Sequence, residues 1–208
     1  MLTIKDLQTN NSTDLLPGTL FSIQGGTWDD YWKLAHEDLK VEYIEEVIYI
    51  HSPANLDHEM IFGKLLNLIT NHIEAHSETM GLILGSRFPI KLLDGKRVEP
   101  DLVYLSKQDI TEGNLTKTVF EGIPSLIIEI VSPNYRNHDT VTKLEKYLEL
   151  GVNEYWIVDP ELKEIRIIKV ENNSISKNQL ITEGVFHSGI NDLSEIEFSA
   201  DVLWDLLV

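Results

Sequence analysis

The sequence predicts an α/β fold in which α-helices flank a mixed β-sheet. Short runs rich in Val, Ile and Tyr have the composition of strands, whereas residues 56–76 and 138–151 carry apolar side chains at helical spacing. The two kinds of segment are interleaved, and no Pro-, Gly- or Ser-rich stretch divides them. A length of 208 residues, 42% hydrophobic and 25% charged, suits one domain with a substantial core.

The domain organisation follows from local composition. Residues 1–26 are polar and we expect a loose N-terminal lead-in there, followed by a single domain over 27–208. The chain has no cysteine, which excludes disulfides, thiolate metal sites and a thiol nucleophile. No basic and apolar leader is visible, and no apolar run approaches ~18 residues. We therefore expect a cytoplasmic protein that does not enter the membrane.

The net charge is -17, which argues against nonspecific binding to nucleic acid or anionic lipid. The charge is uneven, however, because residues 29–46 are strongly acidic while 87–97 are basic. The basic strip is a candidate contact for a phosphate backbone. The alternative interpretation is that these charges are simply solvated on the surface. The basic residues of the strip are Arg87, Lys91, Lys96 and Arg97.

The first predicted elements are a helix, a hairpin and a long helix. The helix begins at the capping-box-like stretch 27–30. Residues 40–52 are β-branched and aromatic, and predict strands joined by a tight turn near Glu45 and Glu46. Residues 56–76 predict the long helix, which has the clearest helical period in the chain.

The next segment, 81–106, predicts three strands. We expect the second of them to carry Arg87 and Lys91 on one face. A turn at residues 94–95 follows, and the third strand begins after Pro100, a position at which proline is tolerated.

The rest of the chain predicts an irregular connection, a buried strand, a helix, a hairpin and a short closing helix. In the helix we expect Val141, Leu144 and Leu148 to face inward and Gly151 to form the C-terminal cap. These elements are predicted, in the same order, at 107–122, 124–133, 138–151, 153–170 and 198–208.

One carboxylate interrupts the predicted buried strand. Side chains alternate along a strand, so Glu129 faces the same side as Ile127 and Val131. A buried carboxylate must be paired, protonated or bound to a cation, because desolvation of an isolated charge is costly. Glu129 is therefore a candidate functional residue, and a simple salt bridge to a Lys or Arg is the alternative.

Two further residues can share a site with Glu129. Asp101 stands at the start of a neighbouring predicted strand, and two carboxylates so placed can hold one Mg²⁺ ion. Lys143 lies on the helix that follows the Glu129 strand and can stabilise charge on a phosphate. The alternative for Lys143 is a weak surface pair with Asp139, four residues earlier.

These residues belong to a longer pattern that resembles the Uma2 family, which is similar to the PD-(D/E)XK restriction-endonuclease-like nucleases. The resemblance covers roughly residues 28–206. It is carried by Glu42, Pro100-Asp101, Glu129-x-Val131-Ser132-Pro133, Asp139-x-x-x-Lys143, Tyr147, Gly151-Val152 and the stretch 154–160, "EYWIVDP".

The resemblance implies a restriction-endonuclease-like fold and a Mg²⁺-dependent endonuclease that hydrolyses DNA, with Mn²⁺ as a possible substitute. It implies that Asp101 and Glu129 bind the metal and that Glu42 completes the metal shell. The standard motif has a lysine two residues after the second acid, where this chain has Val131. The resemblance assigns that catalytic role to Lys143 on the next helix.

The resemblance also implies substrate contacts and leaves other functions open. His58 matches a family histidine that contacts either the substrate phosphate or the metal-binding residues, and we expect Arg87 and Lys91 to bind DNA. Many nucleases of this fold pair to reach both strands, so the resemblance also points to a homodimer. One alternative is a weakly active or inactive nuclease-fold protein that binds a partner or nucleic acid. Another is a structural domain in which Asp101, Glu129 and Lys143 form an internal salt-bridge network.

Overall fold

The computed structural model of the protein describes residues 2–5, 12–15, 20–35, 39–76, 80–85, 87–132 and 136–207. Within these residues no helix has both the length and the apolar character needed to cross a bilayer. The helices are α1 (Trp28–Ala35), α2 (Leu56–Ala75), α3 (Lys107–Glu112), α4 (Lys143–Leu150) and α5 (Ala200–Trp204).

The strands alternate with these helices along the chain. They are β1 (Leu2–Lys5), β2 (Ser12–Leu15), β3 (Leu20–Gln24), β4 (Lys40–Ile44), β5 (Val47–His51), β6 (Leu82–Gly85), β7 (Ile90–Lys91), β8 (Arg97–Val98), β9 (Leu102–Leu105), β10 (Asn114–Leu115), β11 (Phe120–Glu121), β12 (Leu126–Ile130), β13 (Glu154–Asp159), β14 (Glu164–Glu171), β15 (Ser174–Ile181), β16 (Val185–Phe186) and β17 (Phe198–Ser199).

The described strands form two large sheets, which we call the central sheet and the outer sheet. The central sheet has the order β15-β14-β13-β12-β9-β6, and the outer sheet has the order β10-β11-β7-β8-β4-β5-β3. The central sheet is mixed, because β12 pairs in parallel with β13 and antiparallel with β9. The mixed sheet with flanking helices is thus confirmed, and the outer sheet is an additional layer.

Each face of the central sheet has its own hydrophobic layer. On one face, Leu126, Ile128 and Ile130 of β12 pack with α2 and α5. On the other face, Ile127 and Val131 pack with α4 and with the inner face of the outer sheet. Glu129 shares a strand face with Ile127 and Val131, so it points into the second layer, between the central sheet, the outer sheet and α4. Helix α1 covers the far side of the outer sheet.

The hairpin of β4 and β5 has a two-residue turn at Glu45 and Glu46, as predicted. Both residues have positive φ, of 49° and 63°, which matches the twist of a tight hairpin. The turn sets the register, in which Ile44 pairs with Val47 and Lys40 pairs with His51.

Three segments differ from the sequence predictions in their secondary structure, and the first, 81–106, contains in its described residues four strands, β6 to β9, instead of three. Residues 107–122 are not irregular: they contain α3, β10 and β11, and α3 begins with a capping box between Ser106 and Asp109. The lead-in over 1–26 is not wholly loose, since β1 pairs with β2 and β3 forms an edge of the outer sheet.

The helix predicted at 138–151 has a different inward face. It begins with a π-helical turn over His138–Thr142, and its buried side chains are then Lys143, Tyr147 and Leu150. The prediction that Val141 faces inward is wrong, because 45% of its surface is exposed. The wider π turn rotates the following residues, and two of the three inward residues are polar, so apolar periodicity does not detect them. Gly151 caps the helix at φ 86°, as predicted.

Substitution of Leu150 tests this helix phase. Leu150→Ala removes a side chain that is 5% exposed, and we expect it to lower the free energy of unfolding by about 2–5 kcal/mol. Val141→Ala should change it by less than about 0.5 kcal/mol, since Val141 lies at the surface. Urea denaturation of both variants measures the difference. Equal losses would show that Leu150 does not face the core more than Val141 does.

Candidate active site

A cavity of about 290 Å³ lies where the β4–β5 hairpin, α2, β12 and α4 meet. We call it the acidic cavity. Five of the residues predicted from the sequence line it, and they come from distant parts of the chain. They are His58, Arg87, Asp101, Glu129 and Lys143.

Asp101 is held at the start of β9 by three donors. Its Oδ1 accepts a hydrogen bond from Lys40 Nζ at 2.7 Å, and its Oδ2 accepts one from the backbone N–H of Ile130 at 2.8 Å. His58 Nε2 lies 3.2 Å from Oδ2. Burial alone would raise the pKa of Asp101, but Lys40 and His58 outweigh burial and hold that pKa well below its ordinary value. Asp101 is therefore a fixed anion.

His58 lies at the first turn of α2, where its backbone N–H donates to the N-cap side chain of Asn55 at 2.9 Å. Burial lowers the pKa of His58, but its hydrogen bond to Asp101 and the charge of that carboxylate raise it more, so the net shift is upward. His58 therefore serves as a partner of Asp101 at the wall of the cavity.

Glu129 is 1% exposed and accepts two hydrogen bonds on one oxygen. Lys143 Nζ lies 3.0 Å from Glu129 Oε1, and the Tyr147 hydroxyl donates to the same oxygen at 2.8 Å. Burial raises the pKa of Glu129, the Lys143 charge opposes that shift, and the negative charge of Asp101 adds to it. The influence of Asp101 on Glu129 places the two carboxylates in one electrostatic environment.

Lys143 is fully buried and its ammonium group contacts three carboxylates. Nζ lies 2.9 Å from Glu42 Oε1, 3.0 Å from Glu129 Oε1 and 3.6 Å from Asp139 Oδ1. Burial would lower the pKa of Lys143, but Glu129 and Glu42 raise it well above its ordinary value. The pair with Asp139 is part of a buried network, so the interpretation as a weak surface pair is wrong.

Glu42 lies on β4 with both oxygens in use. Its Oε1 accepts hydrogen bonds from Lys143 and, at 2.9 Å, from the backbone N–H of Glu99. Its Oε2 lies 2.8 Å from His51 Nε2 and 3.0 Å from His138 Nε2. These contacts tie Glu42 to Lys143 and to two histidines.

The group of Glu42, His51 and His138 has ligand atoms that all lie within 4.8 Å of one another. Burial lowers the pKa of His51 to about 4 although Glu42 opposes the shift, and it lowers the pKa of His138 in the same way. Both rings are therefore neutral at pH 7 and can either donate Nε2–H to Glu42 or present a lone pair to a metal. Two imidazoles and one carboxylate suit zinc and similar transition metals better than Mg²⁺.

Sequence reasoning missed Lys40 and His51, although the hairpin contains the signal for both. A two-residue turn at 45–46 pairs Lys40 with His51, and Lys40 shares a strand face with Glu42. The predicted turn therefore suffices to bring a lysine and a histidine to the Glu42 side of the hairpin. His138 gave no such signal, because its approach to Glu42 depends on how α4 packs.

The two predicted DNA-binding side chains diverge in the structure. Arg87 lines the acidic cavity, and its Nη2 donates to the carbonyl of Leu39 at 3.0 Å. Lys91 lies outside that lining and pairs with Glu121 at 3.1 Å. The prediction that both share one strand face is wrong, because β7 covers only Ile90–Lys91 and Arg87 lies in a preceding bend with φ 80°.

The acidic cavity thus brings Asp101 and Glu129 together with the buried Lys143, and two further acids, Glu59 and Asp139, also line it. Such an arrangement can bind a hard divalent cation through carboxylate oxygens and can stabilise negative charge on a phosphate. It can equally exist as a charge-balanced network of lysines and acids. The two possibilities differ in whether a cation binds.

Removal of the buried ammonium group tests how far the network depends on Lys143. Lys143→Met leaves three buried carboxylates without their shared cation, and we expect the free energy of unfolding to fall by about 3–5 kcal/mol. Lys146→Met is the matched control on the same helix. Its partners Glu45 and Glu149 are exposed, so the expected loss is below about 1 kcal/mol.

Urea denaturation at neutral pH measures both variants. Adding Glu129→Gln to Lys143→Met should recover part of the loss, because one buried negative charge disappears. If Lys143→Met is as stable as Lys146→Met, the buried network does not carry the stability assigned to it.

The buried side chain of Glu99 leads us to expect that the stability of the protein depends on pH. Its Oε2 is buried without a hydrogen-bond partner among the described residues, and burial together with Glu42 raises the pKa of Glu99 from 4.5 to about 8. Between these two values the folded chain binds more protons than the unfolded chain, so stability falls as pH rises. Glu99→Gln removes this loss.

We therefore expect Glu99→Gln to raise the thermal midpoint by a few degrees at about pH 8 and by less at about pH 5. Glu171→Gln, at an exposed position, is the control and should track the wild-type chain at both pH values. Thermal melts followed by circular dichroism give the comparison, and a constant difference across pH would contradict the raised pKa.

Comparison with known proteins places the sequence in a family. The sequence matches the Uma2 family, described as "Putative restriction endonuclease", over residues 28–200. No curated protein matches the chain.

Two solved structures match the chain to different degrees. One is "a putative nuclease belonging to DUF820 from Anabaena variabilis ATCC 29413", with 18% identity and a TM-score of 0.66, covering 81% of this chain and 91% of that one. The other is the type IIG restriction endonuclease BpuSI, with 12% identity and a TM-score of 0.36, covering 72% of this chain but 16% of that one. The first shows a shared fold, and the second is too distant to add to it. Because the family match spans most of the sequence, the chain belongs to the Uma2 family.

Proposed function

We propose that this protein is a divalent-metal-dependent endonuclease that hydrolyses phosphodiester bonds in DNA. The observation that carries the proposal is the convergence of Asp101, Glu129 and Lys143 on one cavity, in a chain of the Uma2 family. Asp101 and Glu129 are the proposed metal ligands, with Mg²⁺ as the proposed ion and Mn²⁺ as a substitute.

The donor set fits that kind of ion. Asp101 and Glu129 present hard carboxylate oxygens, and Mg²⁺ takes one or two carboxylates and keeps its other positions for water and substrate phosphate. Burial raises the pKa of Glu129 and the negative charge of Asp101 adds to that shift, and a bound cation would offset both effects. When bound, a divalent ion supplies Lewis-acid stabilisation of the charge on the phosphate.

In this proposal, other side chains of the protein orient the two metal-binding carboxylates and offset negative charge on the phosphate. Lys40 and His58 keep Asp101 ionised and oriented. Lys143 orients Glu129 from 3.0 Å and offsets the negative charge that builds on the phosphate in the transition state. Glu42 holds Lys143 in place, and we assign it this positioning role because, unlike Asp101 and Glu129, it does not line the acidic cavity.

A second candidate function rests on the charge balance of the same residues. Lys143 pairs with Glu129 and Glu42, and Lys40 pairs with Asp101, so each of these carboxylates has a cationic partner without any metal. This observation favours a nuclease-fold protein that binds a partner or nucleic acid without cleaving it. Metal binding distinguishes this candidate from the endonuclease.

Plasmid cleavage at low salt with Mg²⁺ or Mn²⁺ tests the endonuclease. We expect the wild-type chain to nick or linearise the plasmid, and Asp101→Ala and Glu129→Ala to lose about 100-fold or more of that activity. Asp94→Ala, an exposed acid on the β7–β8 turn, is the matched control and should retain full activity.

Calorimetric titration with Mn²⁺ accompanies the cleavage assay. Equal cleavage by all four proteins would show that the activity does not come from this cavity. An inactive wild type that binds Mn²⁺, with loss of binding in Asp101→Ala, would support the metal site and reject duplex DNA as substrate. An inactive wild type that binds no Mn²⁺ would favour the second candidate.

A further inference from the structure

A second cavity adjoins the acidic cavity and has a different character. Its volume is about 380 Å³, within the range of roughly 300–1,000 Å³ that is common for small-ligand sites. We call it the aromatic cavity. Leu39 and Arg87 line both cavities, so the two volumes share a wall.

Aromatic rings form one part of the lining. Trp32, on α1, is 41% exposed, and Phe88, in the loop before β7, also lines the cavity. The guanidinium of Arg97 lies over the Trp32 ring, with its carbon 4.9 Å from the ring centroid. Indole rings and guanidinium planes both accept a stacked nucleobase.

Positively charged side chains form the other part of the lining. Arg87, Arg97 and Lys117 line the aromatic cavity, whereas Glu99 is the single acid among the described lining residues. Lys117 forms no ion pair within the described part of the chain. A concentration of three cations is unexpected in a chain of net charge -17, and it matches the charge of a phosphate backbone.

We propose that the aromatic cavity is a subsite for an unpaired nucleotide of single-stranded DNA, next to the scissile phosphodiester in the acidic cavity. The base lies against the Trp32–Arg97 stack and Phe88, and Arg87 and Lys117 contact flanking phosphates. A paired base cannot use this subsite, because its faces are covered by its neighbours in the duplex. The inference rests on the proposed function, since it defines which DNA that function takes.

Binding without cleavage tests the subsite independently of catalysis. A fluorescein-labelled oligothymidylate of about 15 nucleotides is titrated in EDTA and followed by anisotropy, beside a blunt duplex of equal length. We expect the single strand to bind more tightly than the duplex. Trp32→Ala should weaken single-strand binding about tenfold, and Trp32→Phe should weaken it less.

Trp28→Ala is the matched control. Trp28 lies on the same helix, is 37% exposed and stacks near Trp32 with ring centroids 6.1 Å apart, but it does not line the cavity. Its replacement should change binding less than about twofold. Lys117→Gln should reduce the slope of log affinity against log salt by about 0.7, as expected for one lost phosphate contact, whereas Lys163→Gln, on the exposed β13–β14 turn, should not.

The outcomes separate the two proposals. Equal effects of the two tryptophan substitutions, or tighter binding of the duplex, would overturn the subsite. If plasmid cleavage requires Asp101 but Trp32→Ala binds like wild type, the endonuclease stands and the subsite fails. If wild type cleaves no DNA yet Trp32→Ala selectively loses single-strand binding, the subsite stands and the endonuclease fails.

Discussion

The positive charge of Lys143 is the constraint on which the rest of the site depends. Its ammonium group has no exposed surface and lies within 3.6 Å of carboxylate oxygens from a β-hairpin, a central strand and the π-helical turn. Without that charge, three acids would be buried together at a cost of several kcal/mol. The same charge therefore joins the outer sheet to the central sheet and keeps Glu129 at the wall of the cavity. Stability and the proposed chemistry use one interaction, so a substitution at Lys143 affects both.

Much of this arrangement can be predicted from the sequence. The prediction succeeds where a short repeat or a local signal, such as the alternation of side chains along a strand, determines the structure. Side chains alternate along β12, so the sequence predicts which face of the strand carries Glu129. The residues before and after Glu129 are apolar and the strand is buried, so a charge there stands out. Proline before Asp101 and the glycine at 151 predict where a strand begins and where a helix ends. The register of the β4–β5 hairpin also follows from its turn, although Lys40 and His51 become meaningful only once Glu42 is known to face inward.

Other parts depend on packing that no local pattern contains. The π-helical turn at His138–Thr142 changes which side of α4 faces inward, and that side carries Lys143 and Tyr147 instead of an apolar stripe. His138 reaches Glu42 across 96 residues of sequence. Arg87 and Lys91 share a basic strip in sequence, but a bend at Arg87 sends them to different surfaces. The segment 107–122 was predictable in part, because Ser106 and Asp109 have the spacing of a helix cap.

The two-residue turn at Glu45 and Glu46 has a consequence for the evolution of this chain. Lys40, Glu42 and His51 all reach the site because the turn fixes their register, and side chains on a strand alternate strictly between faces. Insertion or deletion of a single residue there would rotate one strand and turn its functional side chains toward α1, while the apolar residues facing α1 would turn into the charged layer. Loop tips usually tolerate length changes well. This loop should instead be constrained in length, even though no residue in it touches the acidic cavity.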